Sequence, residues 1–287
     1  MSRFFARAFF KLFPFLRTVI KPVSINEVGG LTKIKVADSE IFSLNKKEDV
    51  YGKFYDDFNQ DAYTAVIPDL YVYSLSKGIV KNGREEIFTH QKKVIQEITA
   101  QNENPQIGQI FPCNPIKRIH GSVAYFNLSS LEDCYGHYWC EYIGLIYLLW
   151  KSKIKPDYYI FTQKLPFQKQ FIPIICNIFD IPKDKILDFP TGTIIKPDML
   201  IFTSLLNSGK LITCGKKTGF NKIYMTHFIK DVYKMLSDSV PADNEYGERL
   251  YISRENWSFR KTANEKEVQE LVSKYGFVTI HPENFDV

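Results

Sequence analysis

Residues 249–287 read RLYISRENWSFRKTANEKEVQELVSKYGFVTIHPENFDV. Leu250 to Ser253 reads as a short buried strand, while Val268, Leu271, Val272 and Tyr275 recur at i, i+3, i+4 and i+7, one face of a helix. Thr262 and Glu265 have the T-x-x-E spacing of a capping box that would start that helix. Gly276 stands where a helix C-terminus favours positive φ, and Phe277 to Ile280 supply the next strand. The order predicts a βαβ unit and with it an α/β fold. Arg254, Arg260 and Lys261 lie in the loop before the helix. Free N–H groups at a helix N-terminus and guanidinium forks attract an anion in the same direction, so the loop is a candidate seat for a diphosphate. The competing interpretation is a set of solvated loop charges.

A second informative block is Asn127 to Trp150, NLSSLEDCYGHYWCEYIGLIYLLW. From His137 to Ser152 it is apolar on nearly every side, which predicts a buried helix. His137 and Glu141 are its only acid and imidazole, and at i, i+4 they share a face. Gly144, three residues beyond Glu141, leaves that face open for something to approach. A carboxylate and an imidazole in a low dielectric must be paired or neutralised, so the two are either a satisfied core pair or a reactive one.

Both blocks resemble glycosyltransferase family 61. In the first, the matching residues are Tyr251 to Arg254, then Arg260, Asn264 and Glu265, then Gly276 and Phe277. In the second they are Gly136-His137, three residues, an acid and an apolar helix, with Glu141 where members of the family more often carry Asp. The similarity extends over roughly residues 65–287, including a strand at Asp157 to Phe161 and a helical segment at Phe167 to Ile181, in which Pro173 argues for a kink.

The resemblance implies a GT-B-like α/β fold: a Rossmann-like N-terminal lobe with a β-rich N-terminal elaboration, a partial second Rossmann-like lobe, and a nucleotide-sugar donor bound in the crevice between them. It implies transfer to a glycan acceptor hydroxyl with inversion, without an obligatory metal and without a cofactor. On that basis Glu141 is the expected general base with His137 beside it. Arg254, Arg260 and Lys261 are the expected donor-diphosphate residues, and Asn264 and Glu265 would organise the helix start. Surface polysaccharide biosynthesis is the expected setting.

The rest of the chain fits this picture. At 287 residues, 45% apolar and 24% charged, it has the composition of a folded globular chain of two domains. The expected division is a basic amphipathic segment at 1–22, an N-terminal lobe at 23–236, a polar linker at 237–246 and the start of a donor-binding lobe at 247–287. Only about forty residues follow the linker, short of the order of 100 that a complete α/β lobe needs. A partner chain completing that lobe, one half of a split enzyme, and a non-catalytic glycan- or nucleotide-binding or assembly protein are therefore the alternatives. Ala65 to Val80 alternates and Asn82-Gly83 offers a hairpin turn, so a small antiparallel elaboration is expected there, followed by a mostly parallel sheet with short strands near Ile186 and Met199 and a helix from Thr226 to Leu236.

In residues 1–21, MSRFFARAFFKLFPFLRTVIK, Arg3, Arg7, Lys11 and Arg17 oppose Phe5, Phe9, Leu12, Phe13 and Leu16. That is the pattern of a helix lying on a membrane surface through residues 3–21, at the inner face for a cytoplasmic protein. Its charges interrupt any run long enough to span a bilayer. Cys113, Cys134, Cys140, Cys176 and Cys214 are odd in number and lack CxxC spacing, which argues against a disulfide framework or structural zinc. The net charge of +5 comes without a nucleic-acid-binding signature, and nucleic acid is not an expected partner. Gly209-Lys210 and Gly215-Lys216 lack the Ser or Thr of a triphosphate loop, and no GxGxxG occurs.

Overall fold

The computed structural model describes residues 22–43, 64–98, 114–126, 135–163, 165–206, 210–211, 228–239, 246–256 and 262–285. The amphipathic segment through residue 21, residues 240–245 of the expected linker, and Arg260 and Lys261 lie outside them. The strands are β1 (Pro22–Val23), β2 (Leu31–Ala37), β3 (Glu40–Ser43), β4 (Thr64–Ile67), β5 (Leu70–Ser76), β6 (Ile79–Lys81), β7 (Ile87–Phe88), β8 (Val94–Ile95), β9 (Ile116–Tyr125), β10 (Tyr158–Ile160), β11 (Ile194–Thr203), β12 (Lys210–Leu211), β13 (Leu250–Ile252) and β14 (Val278–Ile280). The helices are α1 (Tyr135–His137), which continues through a π-helical turn (Tyr138–Tyr142) into α2 (Ile143–Ser152), then α3 (Pro166–Ile178), α4 (Phe228–Ser239) and α5 (Glu265–Ser273). The chain forms two compact units, Met1–Lys234 and Met235–Val287.

The first unit is built on β11. Its sequence IIKPDMLIFT is buried along most of its length, as a strand with neighbours on both edges requires. One edge carries β9 in parallel, which in turn carries β10 in parallel. The other edge carries β6 and then β5, both antiparallel, with β2 beyond β5 and β7, β8 and β1 beyond β6. The expected mostly parallel sheet and separate antiparallel elaboration are therefore one mixed sheet. Antiparallel pairings outnumber parallel ones because β5 and β6 share one edge of β11. Gly78 permits the handover between them, since a Cβ there would lie 2.7 Å from Leu200 Cβ. The Asn82-Gly83 hairpin joins β6 to β7, with Gly83 at φ 80°.

Leu75, Val80, Ile95, Val123, Ile195 and Leu200 form the centre of the sheet's main core. Met199 falls inside the ten-residue β11, and Ile186 makes only an isolated bridge to Tyr159. A smaller sheet joins β3, β4 and β12.

The second unit contains the predicted βαβ arrangement: β13 and β14 are parallel in the register Leu250↔Val278 to Ile252↔Ile280, with α5 between them in sequence. β13 is not the buried strand expected, since Leu250 and Ile252 are exposed and only Ser253 after it is buried. Gly276 closes the helix at φ 78°, where a side chain would be strained.

Candidate active site and donor seat

The helix that carries His137 and Glu141 is buried as its composition predicts: Tyr138, Tyr142 and every residue from Ile143 to Leu149 are buried. Its opening is a π turn, with the Ile143 N–H donating to Tyr138 O, five residues back. Aromatic packing holds that turn in place. Tyr138 stacks on Tyr142 at 5.0 Å between ring centroids and meets the Phe167 edge at 5.4 Å, while Trp139 meets Phe171 of α3 at 4.4 Å. Gln168 Oε1 accepts the Leu165 N–H at 2.9 Å and anchors the start of α3. Pro173 is accommodated inside α3.

His137 Nδ1 lies 2.5 Å from Glu141 Oε1. The Glu141 side chain is 3% exposed and that of His137 34%. Tyr142 OH accepts the Thr162 N–H at 2.7 Å, just beyond the end of β10. Leu206, three residues past the end of β11, fills the notch at Gly144, where a Cβ would lie 2.0 Å from Leu206 Cδ1. The face expected to stay open beside Gly144 is thus closed by the chain's own leucine. Tyr142 and Gly144, next to Glu141 in the chain, thus meet the residues that follow β10 and β11, at the carboxyl edge of the parallel strands, where open α/β sheets bind ligands.

In the second unit, the carboxyl ends of β13 and β14 lie side by side, and the Ser253 N–H donates to Ile280 O at 2.9 Å. Glu265 is 7% exposed and reaches back to this edge. Its Oε1 accepts from Ser253 Oγ at 2.8 Å and from the Arg254 N–H at 3.1 Å. The Ser253 hydroxyl first, with the Thr262 hydroxyl, the Arg254 N–H and the Tyr251 hydroxyl, lowers the Glu265 carboxyl to about 2. Gln269 Nε2 donates to the same Ser253 Oγ at 3.1 Å.

The expected capping box is not what starts α5. Asn264 occupies the N-cap without a side-chain cap bond, and its Nδ2 donates to Glu267 Oε2 at 3.2 Å. Glu265 turns toward β13 because the strand end offers it a hydroxyl and a backbone donor together. Arg254 is exposed, whereas its own N–H is taken by Glu265. Asn256 Nδ2 donates to Glu283 Oε1 at 2.6 Å and ties the loop after β13 to the turn after β14.

A family model described as glycosyltransferase 61 matches residues 135–287, more than half of the chain. The chain belongs to glycosyltransferase family 61. The family 61 match begins at the first residue of α1 and takes in both the His137–Glu141 pair and the Arg254–Glu265 edge. Comparison with curated proteins and with solved structures returns no match. Among the described residues of this family 61 protein, no group of three or more His, Cys, Asp or Glu side chains could hold a metal ion. Among them too, no helix is long and apolar enough to cross a membrane.

Of the sequence-predicted site residues, the structure brings His137 and Glu141 together, and likewise Arg254 and Glu265 at the end of β13, while Asn264 stays at the start of α5 with Glu267. It adds Ser253, Asn256, Gln269 and Glu283, which sequence reasoning missed. The signal for Asn256 and Glu283 was present in the polar residues three or four positions after each strand, which become neighbours only once the strands are known to be parallel.

Proposed function

We propose that this family 61 glycosyltransferase moves a sugar from a nucleotide-sugar donor to an acceptor hydroxyl with inversion, in a GT-B arrangement of two lobes serving surface polysaccharide synthesis. The observation that carries the reading is the His137–Glu141 pair: a buried carboxylate at 2.5 Å from a partly exposed imidazole. A group that takes the acceptor proton must reach the acceptor. Because His137 is the more exposed of the two, this reading gives the task to His137 rather than to Glu141, the base expected from the sequence, with Nδ1–H directed at Glu141 and Nε2 as the acceptor atom. Glu141 fixes the tautomer and stabilises the imidazolium as the acceptor oxygen attacks the anomeric carbon. The proton moves to His137 while the bond to the donor's diphosphate breaks.

Stabilising the departing diphosphate falls to the second unit. Glu265 already occupies the strand-end donors that an anion at the helix start would use, so side-chain cations, Arg254 with Arg260 and Lys261, hold the phosphates instead. Residues 3–21 would keep the enzyme at the inner face of a membrane. The exposed Ile252 and Leu250 favour a second reading in which a partner chain covers this unit.

The test is turnover of UDP-, GDP-, CDP- and CMP-sugars by the full chain, with the anomeric configuration of the product read by proton NMR. A product of inverted configuration, formed by wild type and lost in His137→Ala, is expected. A retained configuration, or full activity in His137→Ala, would overturn the mechanism.

A further inference from the structure

The carboxyl edge of β13 and β14 has a second feature beside Arg254. β14 ends at Ile280, and the short turn Pro282–Asn284 follows, bringing Glu283 back against the loop after β13, where Asn256 Nδ2 grips its Oε1 at 2.6 Å. His281 Nδ1 stands 3.8 Å from the same oxygen. The Glu283 side chain remains 40% exposed. The carboxyl is held below its usual range, first by its own backbone N–H and then by the Asn256 amide, so at neutral pH it is an acceptor only. An anchored, ionised carboxylate that still reaches solvent pairs with hydroxyl donors.

Geometry says which hydroxyls. Parallel neighbours are spaced by about 4.8 Å, so the end of β14 is one strand away from the Arg254 turn at the end of β13. A ribose is separated from its diphosphate by a similar step. In a βαβ unit that seats a pyrophosphate on the first turn, an acid at the end of the second strand meets the ribose hydroxyls. We infer that Glu283, positioned by Asn256, accepts hydrogen bonds from the ribose hydroxyls of the donor nucleotide and makes the second unit selective for ribonucleotides over 2′-deoxyribonucleotides. The inference rests on the assignment of the donor seat to this edge.

The experiment is calorimetric titration of the full chain with UDP, GDP and CDP and their 2′-deoxy counterparts, on wild type, Glu283→Gln, Asn256→Ala and Arg254→Ala, with a thermal melt of each. The expected result is a preference for the ribonucleotide of about tenfold or more in wild type, the scale of one hydrogen bond to a charged group. That preference should disappear in Glu283→Gln and shrink in Asn256→Ala, with melting unchanged. Equal affinity for ribo and deoxy forms in wild type, or an unchanged preference in Glu283→Gln, overturns the role of Glu283 while leaving the donor seat in place. Absence of binding of any nucleoside diphosphate by folded wild type overturns the donor seat itself, and the inference with it.

Discussion

At the scale of single residues, the two halves of the candidate chemistry differ in how they are held. His137 and Glu141 form a pair in which one member is buried and the other reaches solvent. If His137 is the proton acceptor, as proposed, kcat should fall by about 10²–10⁴ in His137→Ala, while the KM for the donor stays near its wild-type value. Glu141→Gln should also lower kcat without changing donor KM, because the amide no longer fixes the imidazole; steady-state kinetics on both variants separates this from a binding defect. Glu265 works differently. Its carboxyl is held at about 2 against an ordinary 4.5, so the stabilisation of the ionised form is complete above pH 4.5 and is lost as pH falls toward 2. Hydrogen exchange of the β13 and α5 amides should show protection declining over that window in wild type. Glu265→Gln should show weaker protection at neutral pH and little further change across it.

At the scale of elements, the helix through His137 depends on a close approach. A methyl group at position 144 would collide with Leu206 Cδ1, so Gly144→Ala should destabilise by about 1–3 kcal/mol through overpacking. Leu206→Ala should cost about 2–5 kcal/mol on its own, since the side chain is buried. In the double variant the new methyl occupies part of the vacated space, so the loss should be clearly smaller than the sum of the two, as denaturant melts will show.

The same comparison tells what was legible in the sequence. The apolar run from Ile143 to Leu149 announced burial, and the period of Val268, Leu271, Val272 and Tyr275 announced α5, because periodicity and hydropathy are local properties. The Asn82-Gly83 hairpin was legible for the same reason. Which strand joins which edge of β11 is settled by pairing between segments 77 to 131 residues apart, and no local pattern marks it. The π turn at Tyr138–Tyr142 comes from packing against α3, again a tertiary cause. Glu265 sits at the spacing of a cap, but the Ser253 hydroxyl just past the end of β13 outcompetes the local backbone for it.

For the molecule as a whole, the family 61 assignment joins a mixed-sheet unit that carries an acid–imidazole pair with a small βαβ unit that carries exposed arginine. The small unit has few layers to cover its apolar side chains. Ile252 is 61% exposed, and Leu250 and Val278 near it on the two strands are exposed as well. The full chain should therefore bind an apolar fluorescent dye, and Ile252→Lys should reduce that signal without lowering the melting temperature; unchanged dye binding would show that this surface is covered in solution.

The central claim is that the edge around Arg254 seats a nucleotide-sugar donor. It is tested most directly by calorimetric titration of UDP-, GDP-, CDP- and CMP-sugars into the full chain and into Arg254→Ala. Binding of one nucleotide class by wild type, weakened at least tenfold in Arg254→Ala, is the predicted result, tenfold corresponding to about 1.4 kcal/mol. Binding of equal strength in both proteins, or none by a folded wild-type chain, would contradict it.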